Sequence, residues 1–322
     1  MRTPLKTFIG LLCALWLTAC ADSRQAYLFT YFTGEGDGLR LAYSYDGKRW
    51  TPLTEDTVLL KPSVGADKLM RDPSVARGKD GTFHLVWTSG WHDRFIGYAS
   101  TRDFVTWSEQ RQIPVMEHQP GTRNCWAPEL FYDERQDLFY IFWASTVPGQ
   151  HNYVPTSDEE TGWNHRIYYT TTRDFETFAP VEMMLNTDFS AIDAAIVEDR
   201  KHSRYLMVVK NENSAPAEKN IRVTRTDDLR RGFPTTVSAP ITGDYWAEGP
   251  APLFVGDTLY VYFDMYTQGR YGAVRSLDYG DTWQDVSDSV SFPRRMRHGT
   301  AIAVPHQFVE QLKEQLGKQH RD

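Results

Sequence analysis

Short runs of aromatic and β-branched residues, separated by polar turns, recur along most of the chain and predict β-strands. Five turns that contain Asp lead to an aromatic residue: Asp46 to Trp50, Asp103 to Trp107, Asp174 to Phe178, Asp228 to Phe233 and Asp278 to Trp283. Successive aromatics lie roughly 50 to 70 residues apart, which suits one four-stranded blade per repeat. The pattern therefore predicts an all-β, five-bladed β-propeller.

A second repeat lies upstream of the Asp turns and begins with a polar head: Arg71-Asp72-Pro73, Ala127-Pro128-Glu129, Ile192-Asp193-Ala194, Glu248-Gly249-Pro250 and Arg297-His298-Gly299. Each of the first four heads runs into strand one of a blade, and strands two, three and four follow. Only one strand follows the last head, whereas the chain from Tyr27 opens with strands but no head. We expect the N- and C-terminal strands to share the last blade and to close the ring without an open edge.

Chain direction within a blade predicts which residues meet. The innermost strands of a propeller line its central channel, so the five heads should gather at one mouth of that channel. Four carboxylates, of Asp72, Glu129, Asp193 and Glu248, would then converge there with His298. Crowded carboxylates drive their pKa values apart, which suits acid–base catalysis. The structural alternative is that each carboxylate holds a loop through backbone amides.

The Asp turns should lie on the opposite face of the ring, because they join strands three and four. We expect the carboxylates of Asp46, Asp103, Asp174 and Asp278 to cap their own turns and to have no catalytic role.

Composition fits a single domain of this kind. The net charge is −7 without a basic stripe, so nucleic acid is not an expected partner. Aromatic residues make up 14% of the chain, and some of them are available to stack on sugar rings. We expect an oligosaccharide or polysaccharide partner and a monomeric protein that requires no cofactor.

The N-terminus has the pattern of a secretion signal. Arg2 and Lys6 precede an apolar run, and Leu17-Thr18-Ala19-Cys20 follows it. This segment resembles a bacterial lipoprotein signal, which implies a lipid on Cys20 and an anchor on the periplasmic or cell-surface side of a membrane. The expected organisation is a signal peptide at 1–19, a linker at 20–26, the propeller at 27–305 and a helical tail at 306–322.

The five heads, in this order and at blade spacing, resemble glycoside hydrolase family 43. The resemblance runs from about Tyr27 to Val304 and implies a five-bladed propeller that hydrolyses glycosides with inversion, mostly arabinofuranosides and xylosides. It makes Asp72 the general base and Glu248 the general acid. It makes Asp193 the carboxylate that raises the pKa of the acid, and it matches His298 to a histidine that binds calcium or its water.

Loops joining strands two and three should reach the mouth and contact the sugar. Their candidate substrate-binding residues are Trp91, Arg94, His165 and Arg270, together with Trp126 and Glu129 from the second head. Trp163 lies in the same long polar loop as His165. For each loop residue, ordinary loop packing is the alternative.

The sequence predicts an inverting, exo-acting hydrolase that releases terminal α-L-arabinofuranose, β-D-xylose or a galactose-type sugar from plant polysaccharide. A fructan-cleaving enzyme is an alternative because of Arg71-Asp72-Pro73, although the Asn-Asp-Pro-Asn run of those enzymes is missing. A sialidase is another, because the segment from Ser276 to Trp283 resembles an Asp-box. The third alternative is a surface lipoprotein that binds glycans without cleaving them.

Overall fold

The computed structural model describes residues 24–34, 36–54, 57–151 and 163–319. The predicted signal peptide and Cys20 lie outside these ranges, so the lipid anchor stays a prediction. The strands are, in chain order, β1 (Gln25–Tyr31), β2 (Arg40–Ser44), β3 (Thr51–Pro52), β4 (Arg71–Arg77), β5 (Phe83–Thr88), β6 (Ile96–Thr101), β7 (Arg111–Ile113), β8 (Trp126–Asp133), β9 (Leu138–Ser145), β10 (Arg166–Thr172), β11 (Glu182–Leu185), β12 (Ala191–Asp199), β13 (Arg204–Asn211), β14 (Asn220–Thr226), β15 (Glu248–Val255), β16 (Thr258–Met265), β17 (Arg270–Ser276), β18 (Gln284–Asp285) and β19 (Ala301–Pro305).

These strands form five antiparallel sheets, which confirms the predicted five-bladed propeller. We call them blade 1 (β4 to β7), blade 2 (β8 to β11), blade 3 (β12 to β14), blade 4 (β15 to β18) and blade 5 (β19, β1, β2, β3). Within blade 3, the backbone N–H groups of Ser238 and Ile241 donate to carbonyls of β14, so an irregular segment takes the place of a fourth strand.

The two ends of the chain close the ring. Strand β19 pairs with β1 from Ala301 opposite Phe29 to Pro305 opposite Gln25. The C-terminal strand thus supplies the innermost position of blade 5, and the N-terminal segment supplies the outer three. This confirms the prediction that both termini share one blade.

Each interface between neighbouring blades is filled by its own apolar cluster. Between blades 5 and 1, for example, Leu28 and Phe83 are fully buried together with Leu312. Leu312 belongs to the helix α1 (His306–Gln319), whose apolar side packs against this interface. No helix in the described ranges is long and apolar enough to cross a membrane. The ring is therefore held together by burial between sheets as well as by its strand pairing.

The Asp turns cap themselves as predicted. The Asp103 carboxylate accepts hydrogen bonds from the backbone N–H groups of Val105 at 2.9 Å and Thr106 at 2.8 Å. The same arrangement recurs at other turns, where the accepting carboxylates belong to Asp46, Asp174 and Asp278. These carboxylates therefore stabilise the face of the ring opposite the polar heads.

Candidate active site

A β-bulge near the start of the inner strands sets the position of the polar heads. In blade 1, Arg71 pairs with Thr88 but Ser74 pairs with Val86, so two residues oppose one at this point. Blades 2, 3 and 4 have the same shift. Blade 5 has the same shift, because the Arg297 N–H donates to the Phe32 carbonyl and the Thr30 N–H donates to the Thr300 carbonyl. The five heads can therefore be aligned residue by residue.

The alignment puts Asp72, Ala127, Asp193, Gly249 and His298 at one equivalent position. The first four have positive φ angles of 52°, 45°, 50° and 59°. A non-glycine residue in this region is strained, and such strain concentrates at functional sites. Two of the predicted catalytic carboxylates are therefore held at strained bulge positions beside the channel axis.

The other two carboxylates lie at different levels from the bulge. Glu248 precedes its bulge by one residue, and Glu129 follows the residue at the equivalent position by two. The register therefore places Glu129 two residues farther along its inner strand than Asp72, deeper in the channel. Ala-Pro-Glu looks like a head in the sequence, but the register places Ala127 where blade 1 has Asp72.

His298 joins the carboxylates of blades 1 and 3. Its Nδ1 lies 3.3 Å from Asp72 Oδ1 and 3.9 Å from Asp193 Oδ1. Burial lowers the pKa of His298, but the hydrogen bond to Asp72 and the charges of Asp193 and Asp72 outweigh it and raise this pKa to about 9. His298 is therefore an imidazolium at neutral pH.

Asp72 and Asp193 respond differently to this cation. Burial raises the pKa of Asp72, but the His298 hydrogen bond and charge, with contributions from Arg71 and Thr88, lower it to about 2. Thr88 donates to Asp72 Oδ2 at 2.8 Å. Burial raises the pKa of Asp193 to about 6, and the nearby Glu248 and Asp72 charges add to this effect against His298 and Lys210. At neutral pH Asp72 is firmly ionised, whereas Asp193 titrates near the working range.

Glu248 is held by two cations. Lys210 Nζ lies 3.0 Å from Oε2, and Arg297 Nη2 lies 2.6 Å from Oε1. Burial raises the pKa of Glu248, but the charges of Lys210 and Arg297 and their hydrogen bonds lower it below its usual value. Arg297 also donates to Asp264, whose pKa burial raises to about 6. Glu248 is therefore a carboxylate in the free protein, although the predicted role requires a proton on it.

Glu129 belongs to a polar layer below this cluster. Both of its carboxylate oxygens accept from Thr300 Oγ1, at 2.8 and 2.9 Å. Burial raises the pKa of Glu129 to about 7. Glu129 and Thr300 also line a cavity of about 1120 Å³ that opens on the face of the ring with the turns between strands one and two.

We place the candidate site at the mouth rather than in that cavity. Among the predicted catalytic and supporting carboxylates, only Glu129 lines the cavity, whereas Asp72, Asp193 and Glu248 meet at the other end of the channel. The predicted contact between Glu129 and substrate stays untested, and its depth favours a supporting position.

The surroundings of His298 do not fit a calcium site. Calcium is bound by oxygen ligands, whereas His298 offers ring nitrogens, of which Nδ1 faces Asp72. The described ranges contain no group of three or more His, Cys, Asp or Glu side chains arranged to hold a metal ion. We therefore derive no step through calcium, and the predicted ion stays an expectation from the family resemblance.

Aromatic side chains form one side of the mouth. The Trp126 ring lies 4.7 Å from Trp163 and 6.0 Å from Trp91, and the Trp126 indole donates to the Trp91 carbonyl at 3.0 Å. Trp91 is 44% exposed, so part of its side chain is accessible to a ligand. The Arg71 guanidinium lies 4.9 Å from the Trp91 ring, which connects this aromatic cluster to the head that carries Asp72.

Of the remaining predicted binding residues, His165 is buried, whereas Arg94 and Arg270 are exposed. His165 is buried and stacks on Trp163, and burial together with the charges of Arg166 and Lys210 lowers its pKa to about 3. Arg94 is exposed on the loop after β5. Arg270 pairs with Asp288 at 3.1 Å on an exposed part of the surface. Their contacts with substrate stay predictions.

Four side chains around this site are not among the predicted site residues. Lys210 and Asp264 are the cross-strand partners of Ile192 and Glu248, so only the pairing register reveals them. Arg297 belongs to the last head, but the sequence does not indicate that it binds Glu248. Trp246 precedes Glu248 by two residues and is 42% exposed, with its ring 6.0 Å from Tyr266. Of these four side chains, only Trp246 could have been proposed from the sequence, because it lies two residues upstream of a head.

Comparison with known proteins adds a family to this geometry. Residues 22–310 match a family model of the group related to glycosyl hydrolase family 43, whose description is "Probable glycosyl hydrolase domain". The chain is also similar to an α-L-arabinofuranosidase of Bifidobacterium longum subsp. longum, at 25% identity over 195 residues. That alignment covers 53% of this chain and 18% of the relative, so the chain spans less than a fifth of that protein.

Two solved structures share the fold. One is a thermostable family-43 glycoside hydrolase, with a TM-score of 0.52 at 15% identity over 67% of this chain and 71% of the other. The second is an α-L-arabinofuranosidase from Lactobacillus brevis, with a TM-score of 0.50 at 16% identity over 67% of this chain and 72% of the other. At this identity, the likeness supports the propeller architecture alone.

Proposed function

Because the chain belongs to the family related to glycosyl hydrolase family 43, we propose that it is an inverting glycoside hydrolase that acts on chain ends. Its substrates would be terminal α-L-arabinofuranose or β-D-xylose, or a galactose-type sugar, in plant polysaccharide. The observation that carries the proposal is the convergence of Asp72 and Glu248 from different blades at one mouth. The adjacent residues Arg297 and His298 contact Glu248 and Asp72, respectively.

Asp72 has the properties of the general base. Its low pKa keeps it ionised, and a carboxylate that already binds Thr88 and His298 still has lone pairs free for a water molecule. An inverting hydrolase needs the base and the acid roughly 6.5 to 9.5 Å apart, so that water fits between the base and the sugar. Residues on separate blades can flank a sugar in this way.

Glu248 would be the general acid, and Asp193 would supply its proton. Two neighbouring carboxylates raise each other's pKa, and in the free protein a proton taken up by this pair goes to Asp193 before Glu248, because two cations hold Glu248. Substrate binding must then favour the proton on Glu248. This agrees with the predicted role of Asp193 as the group that tunes the acid.

A panel of aryl arabinofuranosides, xylosides and galactosides tests the proposal with Asp72→Asn and Glu248→Gln. We expect each variant to lose activity by about 100-fold or more. Loss in Glu248→Gln should be largest for aglycones that are poor leaving groups, because these need the proton most. Asp278→Asn, which changes a capping carboxylate on the opposite face, is the control. Wild-type rates from either site variant would refute the assignment.

A protein that binds glycans without cleaving them is the second candidate. One observation favours it, since Lys210 and Arg297 keep Glu248 ionised in the free protein. Calorimetry with arabino- and xylo-oligosaccharides separates the two functions. Binding without release of a terminal sugar would support the second candidate and contradict the first.

A further inference from the structure

Lys210 is a buried cation between two carboxylates. It lies on β13 opposite Ile192, and only 2% of its side chain is exposed. Nζ lies 3.0 Å from Glu248 Oε2 and 2.6 Å from Glu212 Oε2. The ammonium also lies 5.0 Å from the centre of the Tyr266 ring. Lys210 of blade 3 thus contacts Glu248, which belongs to the head of blade 4.

A buried ammonium is unfavourable unless its charge is compensated. Burial lowers the pKa of Lys210, but the charges of Glu248, Glu212 and Asp193 raise it well above its usual value. Lys210 therefore stays protonated at every pH at which the protein would work. Its charge is a fixed part of the surroundings of Glu248.

The ion pairs continue from Lys210 toward the surface. Lys219 Nζ lies 2.7 Å from Glu212 Oε1 and also donates to the Glu212 carbonyl at 2.8 Å. Lys219 Nζ lies 5.9 Å from the ring of the exposed Trp246. A connected row of charges therefore joins the buried Glu248 to the loop between β13 and β14.

We propose that Lys210 is a positioning residue for Glu248, which fixes carboxylate oxygen Oε2 and ties it through Glu212 to the loop at the mouth. The inference rests on the proposed function, in which Glu248 protonates the leaving group. Arg297 holds the other oxygen, so the two cations together set the orientation of the carboxylate. Lys210 acts through Glu248 and touches no reacting atom.

This placement has a consequence for the pH dependence of activity. A nearby cation favours the ionised form of a carboxyl group, so Lys210 limits the pH range in which Glu248 carries a proton. Removing Lys210 should move the alkaline limb of the activity profile to higher pH. The other charged or titratable groups around Glu248 that enter this titration are Arg297, Asp193, Asp264, Glu212, Tyr266 and Tyr271.

The experiment is a ¹³C NMR titration of the Glu248 carboxyl carbon in glutamate-labelled protein, with Glu248→Gln used to assign the resonance. We expect Lys210→Met to raise the pKa of Glu248 by about one unit or more. The alkaline limb of kcat/KM should move by the same amount. Lys219→Met is the matched control, because Lys219 pairs with the same Glu212 and is not among the partners of Glu248 that the described structure shows.

Glu212→Gln provides a second test that does not remove the buried cation. It leaves Lys210 with Glu248 as its remaining carboxylate partner at contact distance, so the pKa of Glu248 should fall, opposite to the effect of Lys210→Met. A Glu248 titration that is unchanged in every folded variant of Lys210 and Glu212 would overturn the inference. If Lys210→Met does not fold, the test rests on Glu212→Gln alone. A lower pKa of Glu248 in that variant supports the inference, and an unchanged or higher pKa overturns it.

The two proposals fail in distinguishable ways. If the wild-type protein hydrolyses no glycoside but the NMR shifts appear, the proposed function fails and the positioning of Glu248 stands. If hydrolysis occurs and the Glu248 titration does not respond to Lys210, the positioning role is rejected and the function stands.

Discussion

At the scale of single residues, the charge on His298 governs the carboxylates around it. The folded-state pKa of about 9 lies above the usual 6.5, so its ion pairs stabilise the fold. This contribution is fully present below about pH 6.5 and is lost as the pH rises through about 9. The same charge accounts for the low pKa of Asp72, which the sequence does not reveal.

His298→Gln should therefore reduce stability in a pH-dependent way. We expect the difference in the free energy of unfolding between wild type and variant to be on the order of 3 kcal/mol at pH 6 and to shrink toward pH 9.5. Urea denaturation at several pH values measures it. His84→Gln is the control, because burial lowers the pKa of His84 to about 4. The pH-dependent part of its effect has the opposite sign, is below about 1 kcal/mol at pH 6 and vanishes above about pH 7.5, so the difference should then stay constant up to pH 9.5. A constant difference for His298→Gln would contradict the account.

Glu129→Gln should stabilise the protein as the pH rises, whereas His298→Gln destabilises it. Its folded-state pKa of about 7 lies above the usual 4.5, so ionisation of this buried carboxyl destabilises the fold as the pH rises from 4.5 to 7. Glu129→Gln keeps hydrogen-bonding capacity toward Thr300 and cannot ionise. We expect its stability relative to wild type to rise over that interval by up to about 3 kcal/mol and then to level off. A flat difference between pH 4.5 and 8 would refute this position for Glu129.

At the scale of elements, the bulge in each inner strand is the device that positions the site. Gly249 occupies the bulge position of β15 with φ of 59°, and a Cβ atom there would lie 2.5 Å from the His298 ring. Gly256, at the turn after the same strand, has φ of 58° and open space around the position of a Cβ. The two glycines therefore share the backbone strain but not the contact.

Gly249→Ala and Gly256→Ala form a matched pair. Both changes should destabilise the protein by about 1 kcal/mol through the left-handed backbone. Only Gly249→Ala should also displace His298, and we expect a loss in kcat/KM on the order of 100-fold. Kinetics and urea denaturation of the two variants give the answer. Equal activity in both would show that the His298 position is not critical.

The strand repeat could be predicted from the sequence, whereas the position of each site residue along the channel could not. Blade 3 illustrates the limit for turns, because Leu229–Arg231 forms a 3-10 helix whose N-cap is Asp228, which the repeated Asp turns do not predict. The site shows a similar limit, because only the register of the bulge shows that Ala127 and not Glu129 aligns with Asp72. Lys210 reaches Glu248 only through pairing between distant strands, which local patterns do not encode.

At the scale of the whole molecule, hydrogen bonds of the Thr30 hydroxyl connect blade 5 to blade 1 where the ring closes. We call this contact the latch. Thr30 Oγ1 donates to the Pro73 carbonyl at 2.6 Å and accepts from the Thr300 N–H at 3.1 Å. One buried hydroxyl thus connects β1, the segment before β19 and β4. It lies beside the heads that carry Asp72 and His298.

Thr30→Val should weaken this closure without changing the charges of the site. It leaves a buried carbonyl and a buried N–H group without their partner, so we expect a loss of about 2 kcal/mol in the free energy of unfolding. Thr51→Val, on the exposed outer strand of the same blade, should change it by less than about 0.5 kcal/mol. Similar losses in both variants would argue against a latch at Thr30.

The stereochemistry of the first-formed product tests the central claim most directly, that Asp72 and Glu248 act as base and acid on opposite sides of one sugar. Proton NMR can follow the anomeric signals of the released sugar from the start of hydrolysis, before the anomers equilibrate. If Asp72 activates a water molecule, the sugar appears with inverted configuration. A first-formed product of retained configuration would contradict the account.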